Sequence, residues 1–288
     1  MGDPRFVTAN GLRFAYLERG SGPLVVLLHG FPDTAHTWDR AMAALADAGF
    51  RAVAPFMRGY HPTEIPADGP FDSATLGRDA LAIIRELGAG EPAVLVGHDW
   101  GASAGYSAAA LGPDQLRLLV TLAIPNPGGL KPRPKLIWAL RHFFRLRRRG
   151  AAAKIRAENY AYIDELWRRW SPAWRDLPAS ETAPVKAAFA HPGCLEAACG
   201  YYRAQSLRGS DPSQRKPIAV PTVSFAGLHD MIEPRLYEKV RHCYTGSYEV
   251  VQVPGGHFMH REHPDTFAAE LVRVVREHVR SDPTSPPK

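Results

Sequence analysis

Ala93-Val94-Leu95-Val96 runs straight into Gly97-His98-Asp99-Trp100-Gly101, and Ala102-Ser103-Ala104-Gly105-Tyr106-Ser107-Ala108-Ala109-Ala110 follows. The first four residues read as a strand buried on both faces. The last nine, almost all small, read as a helix that packs closely. Between them the two glycines allow a sharp turn and a near approach of strand and helix, so that the middle residue projects over the edge of a sheet. That residue is Asp99. A carboxylate in this position can displace a leaving group from a saturated carbon, and water can then hydrolyse the resulting ester. The simpler alternative is an aspartate that caps the helix after it.

Working outward toward the N-terminus, Phe6 to Arg19 alternate in polarity around Asn10-Gly11, a strong hairpin signal. Leu24-Val25-Val26-Leu27-Leu28 is a second buried strand, and it ends in His29-Gly30-Phe31-Pro32. Thr37–Ala48 reads as a helix, Phe50–Pro55 as a strand, Ser73–Leu87 as a helix and Leu116–Ile124 as a strand. From residue 127 to 216 the pattern turns helical and rich in Trp, Tyr and Arg. It then resumes with strands at Ala219–Ala226 and Tyr248–Val253 and a helix at Pro264–Val279. Strands alternating with helices predict the α/β class, with a mostly parallel sheet flanked by helices. The expected layout is a core of residues 1–126 and 217–280, an inserted helical cap at 127–216, and a disordered tail at 281–288.

The 288 residues are 45% hydrophobic, ordinary for a globular core, and no run approaches a membrane span. The N-terminus has no basic-then-apolar leader. Cys194, Cys199 and Cys243 have neither disulfide-framework nor zinc spacing, so a reducing cytoplasm fits. The net charge of +6 is concentrated in Arg141-His142-Phe143-Phe144-Arg145-Leu146-Arg147-Arg148-Arg149. That stretch reads as a solvated helix face whose apolar residues pack inward, or else as a patch for an anionic membrane or nucleic acid. No nucleic-acid motif accompanies it, so nucleic acid is not an expected partner.

Two more loops follow strands. Gly227-Leu228-His229-Asp230 comes after the strand ending at Ala226, and Gly255-Gly256-His257 comes after the next. Parallel sheets bind ligands at this edge. His257 is expected to take a proton from water, and Asp230 to fix its tautomer and stabilise the imidazolium. Glu233 is the competing acid, and either carboxylate could instead cap a helix. His257, His260 and His263, spaced by three, also resemble a metal cluster, but ligation would leave Asp99 and Asp230 without a role. Ester hydrolysis through a tetrahedral oxyanion needs N–H donors, and the backbone N–H groups of Phe31 and Trp100 are the candidates. The Phe31 side chain would then wall the substrate space. Asp99 as nucleophile points to epoxides or alkyl halides.

With these residues in place, the chain resembles the epoxide hydrolase and haloalkane dehalogenase branch of the α/β hydrolases. The resemblance rests on His29-Gly30-Phe31-Pro32, Arg58-Gly59-Tyr60, Gly97-His98-Asp99-Trp100-Gly101, Asp230 and Gly256-His257. It implies an α/β-hydrolase fold and a cofactor-independent reaction of a small apolar organic substrate with water, in a monomer or homodimer. It further implies a cap tyrosine that protonates the ring oxygen, and Tyr202 of Tyr201-Tyr202-Arg203 is the closer match. A second tyrosine is expected early in the cap, where none stands; His142, Tyr160 or Tyr162 would replace it. Phe31, Trp100, Tyr160 and His142 are thus the expected substrate-binding residues. In the dehalogenase alternative Trp100 and a cap tryptophan would hold the departing halide. A serine esterase would use Ser103, which lies inside the helix and off the turn.

Overall fold

In a computed structural model that describes residues 3–67, 69–131, 133–206 and 209–280, the chain forms one eight-stranded sheet. The strands are β1 (Arg5–Ala9), β2 (Leu12–Arg19), β3 (Leu24–Leu28), β4 (Arg51–Pro55), β5 (Ala93–His98), β6 (Leu116–Leu122), β7 (Thr222–Gly227) and β8 (Tyr248–Val253). Their spatial order is β1-β2-β4-β3-β5-β6-β7-β8. β2 runs antiparallel to both of its neighbours, β1 and β4, and the other strand pairs are parallel. The Asn10-Gly11 turn sets the β1–β2 register, pairing Ala9 with Leu12. Both turn residues have positive φ, as a tight hairpin of this hand requires.

Helices α1 (Asp39–Asp47), α2 (Ser73–Leu87) and α3 (Trp100–Leu111) connect the first six strands. The predicted helix at Thr37–Ala48 is in fact a 3-10 turn, Ala35–Trp38, that passes into α1. Between β6 and β7 the chain is helical: α4 (Pro134–Ala139), α5 (His142–Leu146), α6 (Ala151–Ala157), α7 (Ala161–Trp170), α8 (Ala179–Ala190) and α9 (Cys194–Ala204). Short helices α10 (Arg235–Lys239) and α11 (Met259–Glu262) precede the closing α12 (Pro264–Arg280). The expected tail at 281–288 lies outside the described residues. Among those that are described, no helix is long and apolar enough to cross a membrane.

The central strands β3 and β5 are buried throughout, as their unbroken apolar runs require. Arg58 and Asp79 form a buried two-pronged ion pair at 2.6 and 2.7 Å, and Asn10 adds a bond to the same carboxylate. The pair ties the loop after β4 to α2. The Tyr201 hydroxyl donates to the Arg58 carbonyl at 2.7 Å, so α9, one of the helices between β6 and β7, is fastened to the same place. Replacing Arg58 with Ala strands a buried carboxylate and is expected to cost about 3–5 kcal/mol of stability. Urea unfolding measures it, and a loss below about 1 kcal/mol would contradict so central a role for the pair.

Candidate active site

Asp99 occupies the junction of β5 and α3 at φ 51° and ψ −114°, a conformation that costs a non-glycine residue energy. The surrounding contacts over-determine it. A Cβ on Gly101 would come 2.2 Å from the Leu28 carbonyl oxygen, and one on Gly30 would come 2.4 Å from the Cβ of Asp99 itself. Neither position tolerates a side chain. The Phe31 backbone N–H donates to Asp99 Oδ1 at 2.8 Å. The loop that presents it is pinned by His29, whose Nδ1 donates to the Gly30 carbonyl and whose Nε2 accepts from the Met57 N–H. Burial lowers the His29 pKa to about 4, so this ring stays neutral, as the paired donor and acceptor roles demand.

His257 lies between two carboxylates. Its Nε2 is 3.6 Å from Asp99 Oδ2, and its Nδ1 is 3.4 Å from Asp230 Oδ2. The Asp230 side chain is fully enclosed, and its other oxygen accepts from the Ile232 N–H at 3.1 Å. Glu233, the competing acid, instead pairs with Lys135 and Arg235. Burial opposes charge on His257, but Asp230 and then Asp99 outweigh it and raise the pKa to about 9. Burial also raises the Asp230 pKa, against the pull of His257.

Two supports of His257 were not evident in the sequence. Its backbone N–H donates to the Trp170 carbonyl at 2.9 Å, and its carbonyl accepts from His98 Nε2 at 3.0 Å. His98 must therefore carry its proton on Nε2, and burial holds its pKa well below the usual value. The first signal for His98 is its place beside Asp99 on a fully buried strand; for Trp170 there is none before folding. The three-histidine metal cluster does not assemble. His260 bonds Thr37 and stacks on Trp38, and among the described residues the group able to approach one ion is Asp33, His98 and His260. Their donor atoms lie within 4.8 Å of one another.

A cavity of about 380 Å³ opens above Asp99 and His257. Asp99, Trp100 and Ser103 at the start of α3 line it together with residues of the loops after β6, β7 and β8, and Leu136, Leu140, His142 and Phe143 line it from the helical segment between β6 and β7. Most of the lining is apolar, which suits a largely hydrocarbon ligand. Burial and then Arg169 lower the His142 pKa to about 3, so a neutral imidazole borders the cavity. Ser103 also lines it, bonded to Ser73 and Gln214, but no histidine holds Ser103 as a base would.

Other expected binding residues lie elsewhere. Tyr160 does not border the cavity; it is the residue before α7, and its hydroxyl donates to the Phe189 carbonyl at 3.3 Å. Phe31 is also not in the wall: its ring is enclosed between Tyr202 and Phe189. Tyr202 is fully buried, 5.2 Å ring to ring from both Phe31 and Trp100, and its hydroxyl makes no close hydrogen bond, with the Trp100 side chain its polar neighbour. Burial and then the charge of Asp99 raise its pKa well above that of a free phenol. Of the tryptophans, Trp167 spends its N–H on the Pro32 carbonyl, Trp138 is exposed, and Trp170 keeps a buried, unpartnered N–H beside His257.

Residues 23–264 match the family model described as the alpha/beta hydrolase fold. The chain belongs to the α/β-hydrolase fold family. This α/β hydrolase is 30% identical to an AB hydrolase superfamily protein, YfhM, of Bacillus subtilis (strain 168), over 96% of the chain and 98% of that protein. It is 43% identical to an epoxide hydrolase of Caballeronia sordidicola over 121 residues, which span 41% of this chain and 36% of that relative. Among solved structures it resembles a putative epoxide hydrolase from Klebsiella pneumoniae subsp. pneumoniae, with a TM-score of 0.80 and 25% identity over 95% of this chain and 97% of that one. It also resembles an epoxide hydrolase from Vigna radiata, with a TM-score of 0.79 and 26% identity over 96% and 98%.

Proposed function

We propose that this α/β hydrolase opens epoxides to vicinal diols through an ester on Asp99, with residues 127–216 acting as a cap over the core. The observation that carries the reading is the placement of an aspartate on the strained turn, with one oxygen on the Phe31 N–H and the other facing His257. Asp99 Oδ2 attacks a ring carbon while the Tyr202 phenol protonates the departing oxygen. Alkylation removes the Asp99 charge, so the pKa of His257 falls; the imidazolium gives up its proton, which balances the one Tyr202 has to regain. The neutral ring then takes a proton from water as the hydroxide attacks the Asp99 carboxyl carbon. Charge collects on Oδ1, where the Phe31 N–H already sits and the Trp100 N–H is the second candidate donor. Collapse expels the diol oxygen, which takes the imidazolium proton, and the carboxylic acid left on Asp99 then returns its own proton to His257. His142 is the cavity group available as a second donor to the ring oxygen.

Dehalogenation by the same three residues is the second reading, favoured by one observation, the free Trp170 N–H beside His257. Incubating the purified protein with matched epoxides and alkyl halides separates the two by product. Diols from the epoxides, without halide release from their counterparts, are expected. Halide release alone would overturn the epoxide assignment.

A further inference from the structure

Helices α4 and α5 cover the cavity, yet they leave large apolar side chains in solvent. Ile137 is 49% exposed, Trp138 68% and Phe144 56%. Ile137 and Phe144 also line the cavity, so this apolar surface is its rim. The basic stretch thus departs from the inward-packed pattern expected of it: His142 and Leu146 are buried, but Phe144 points outward. Residues 127–157 contain ten Lys and Arg and no Asp or Glu, in a chain whose net charge is +6, so everything outside them sums to a negative charge. Lys131, Arg133, Arg148 and Arg149 are exposed and have no carboxylate partner among the described residues. Next to α5, Arg145, Arg148, Arg149 and Lys154 line a separate cleft of about 330 Å³. Arg141 lies over the Trp138 ring, 4.4 Å from its centroid.

We infer that this face docks on an anionic membrane surface, with Ile137, Trp138 and Phe144 entering the outer acyl region and the arginines holding lipid phosphates. Nucleic acid would reward the charge but not three exposed hydrocarbon side chains. Membranes reward both: cations beside an anionic leaflet add affinity, and tryptophan favours the interface. The surface also accounts for the position of the cavity mouth. An apolar substrate partitions into the bilayer, and a cavity that opens onto the bilayer receives it without a passage through water. That last step rests on the hydrolase reading; the docking itself rests on charge and exposure alone.

The test reads binding without substrate, so its failure leaves the hydrolase reading intact. Sedimentation with vesicles of equal parts phosphatidylglycerol and phosphatidylcholine is compared with pure phosphatidylcholine. Strong partition onto the anionic vesicles, lost in high salt, is expected. Each cation near such a surface contributes about a fivefold factor, so Arg148→Glu with Arg149→Glu should weaken partition about 25-fold or more. Both side chains are exposed, and an unchanged melting temperature confirms that the variant is folded. Brominated phosphatidylglycerol should quench tryptophan emission, and Trp138→Phe should remove most of that quenching. Equal partition onto both vesicle types, indifference to the charge reversals, tighter binding to duplex DNA at the same salt, or self-association that shields Trp138 from the brominated lipid would each overturn the inference.

Discussion

His257→Gln, incubated with an epoxide substrate, is expected to gain the full mass of that epoxide and to hold it. Glutamine keeps a polar side chain between Asp99 and Asp230 but cannot take a proton from water. The ester therefore forms and is not hydrolysed. General-base catalysis contributes about 10²–10⁴-fold, and turnover should fall by at least that factor. Intact-protein mass spectrometry reads the adduct, and Asp99→Ala should show none. An alkyl halide that adds its mass less hydrogen halide would transfer the same chemistry to dehalogenation, while no adduct from either class would overturn the ester mechanism. In the proposed mechanism, the ester-hydrolysis step of the unmodified enzyme needs neutral His257. Asp230 and Asp99 raise its pKa to about 9 against burial, and alkylation cancels the Asp99 part. The step should therefore accelerate with rising pH and level off below about 9. Stability runs the other way. The imidazolium between its carboxylates stabilises the fold fully below the unfolded value of 6.5, and this contribution is lost as the pH rises through about 9. His257→Gln lacks that dependence.

Tyr202→Phe should lower kcat/KM for epoxides by about 10²–10⁴-fold while leaving the fold unchanged, because it removes a proton donor whose polar neighbour is the Trp100 side chain and no close hydrogen bond. The neighbouring Tyr201→Phe should do the reverse. Its hydroxyl holds the Arg58 carbonyl, so its loss should cost about 1 kcal/mol of stability and little activity. Steady-state kinetics and urea midpoints on the two variants separate the roles. Near wild-type activity in Tyr202→Phe would transfer protonation to another group, with His142 the first to replace. Because the Tyr202 ring stands behind Trp100 rather than in the cavity wall, this pair of variants also shows whether a bound substrate draws the hydroxyl forward.

Much of this was legible before folding, because the signals were local. Unbroken apolar runs marked β3 and β5 as central, Asn10-Gly11 set the first hairpin, and the elbow glycines marked the point where Leu28 and α3 nearly touch. Asp99, Asp230 and His257 each follow a strand at the same edge of a parallel sheet, and that placement alone brings them together.

Which side chains are free to react was not local. Tyr201 and Tyr202 are adjacent and chemically identical, yet packing gives one hydroxyl a carbonyl at 2.7 Å and sets the other beside Trp100 without a close bond. Trp167 and Trp170 differ in the same way, and Tyr160 is drawn to the Phe189 carbonyl, away from the cavity. The His98 and Trp170 clamps on the His257 backbone join residues remote in sequence, so periodicity carries no trace of them. The outward turn of Phe144 likewise depends on what α5 packs against. Chain order, element type and the clustering of Asp99, His257 and Asp230 follow from side-chain pattern and sheet topology. Burial, hydrogen-bond partners and the charge each group carries depend on neighbours that only the folded chain assembles.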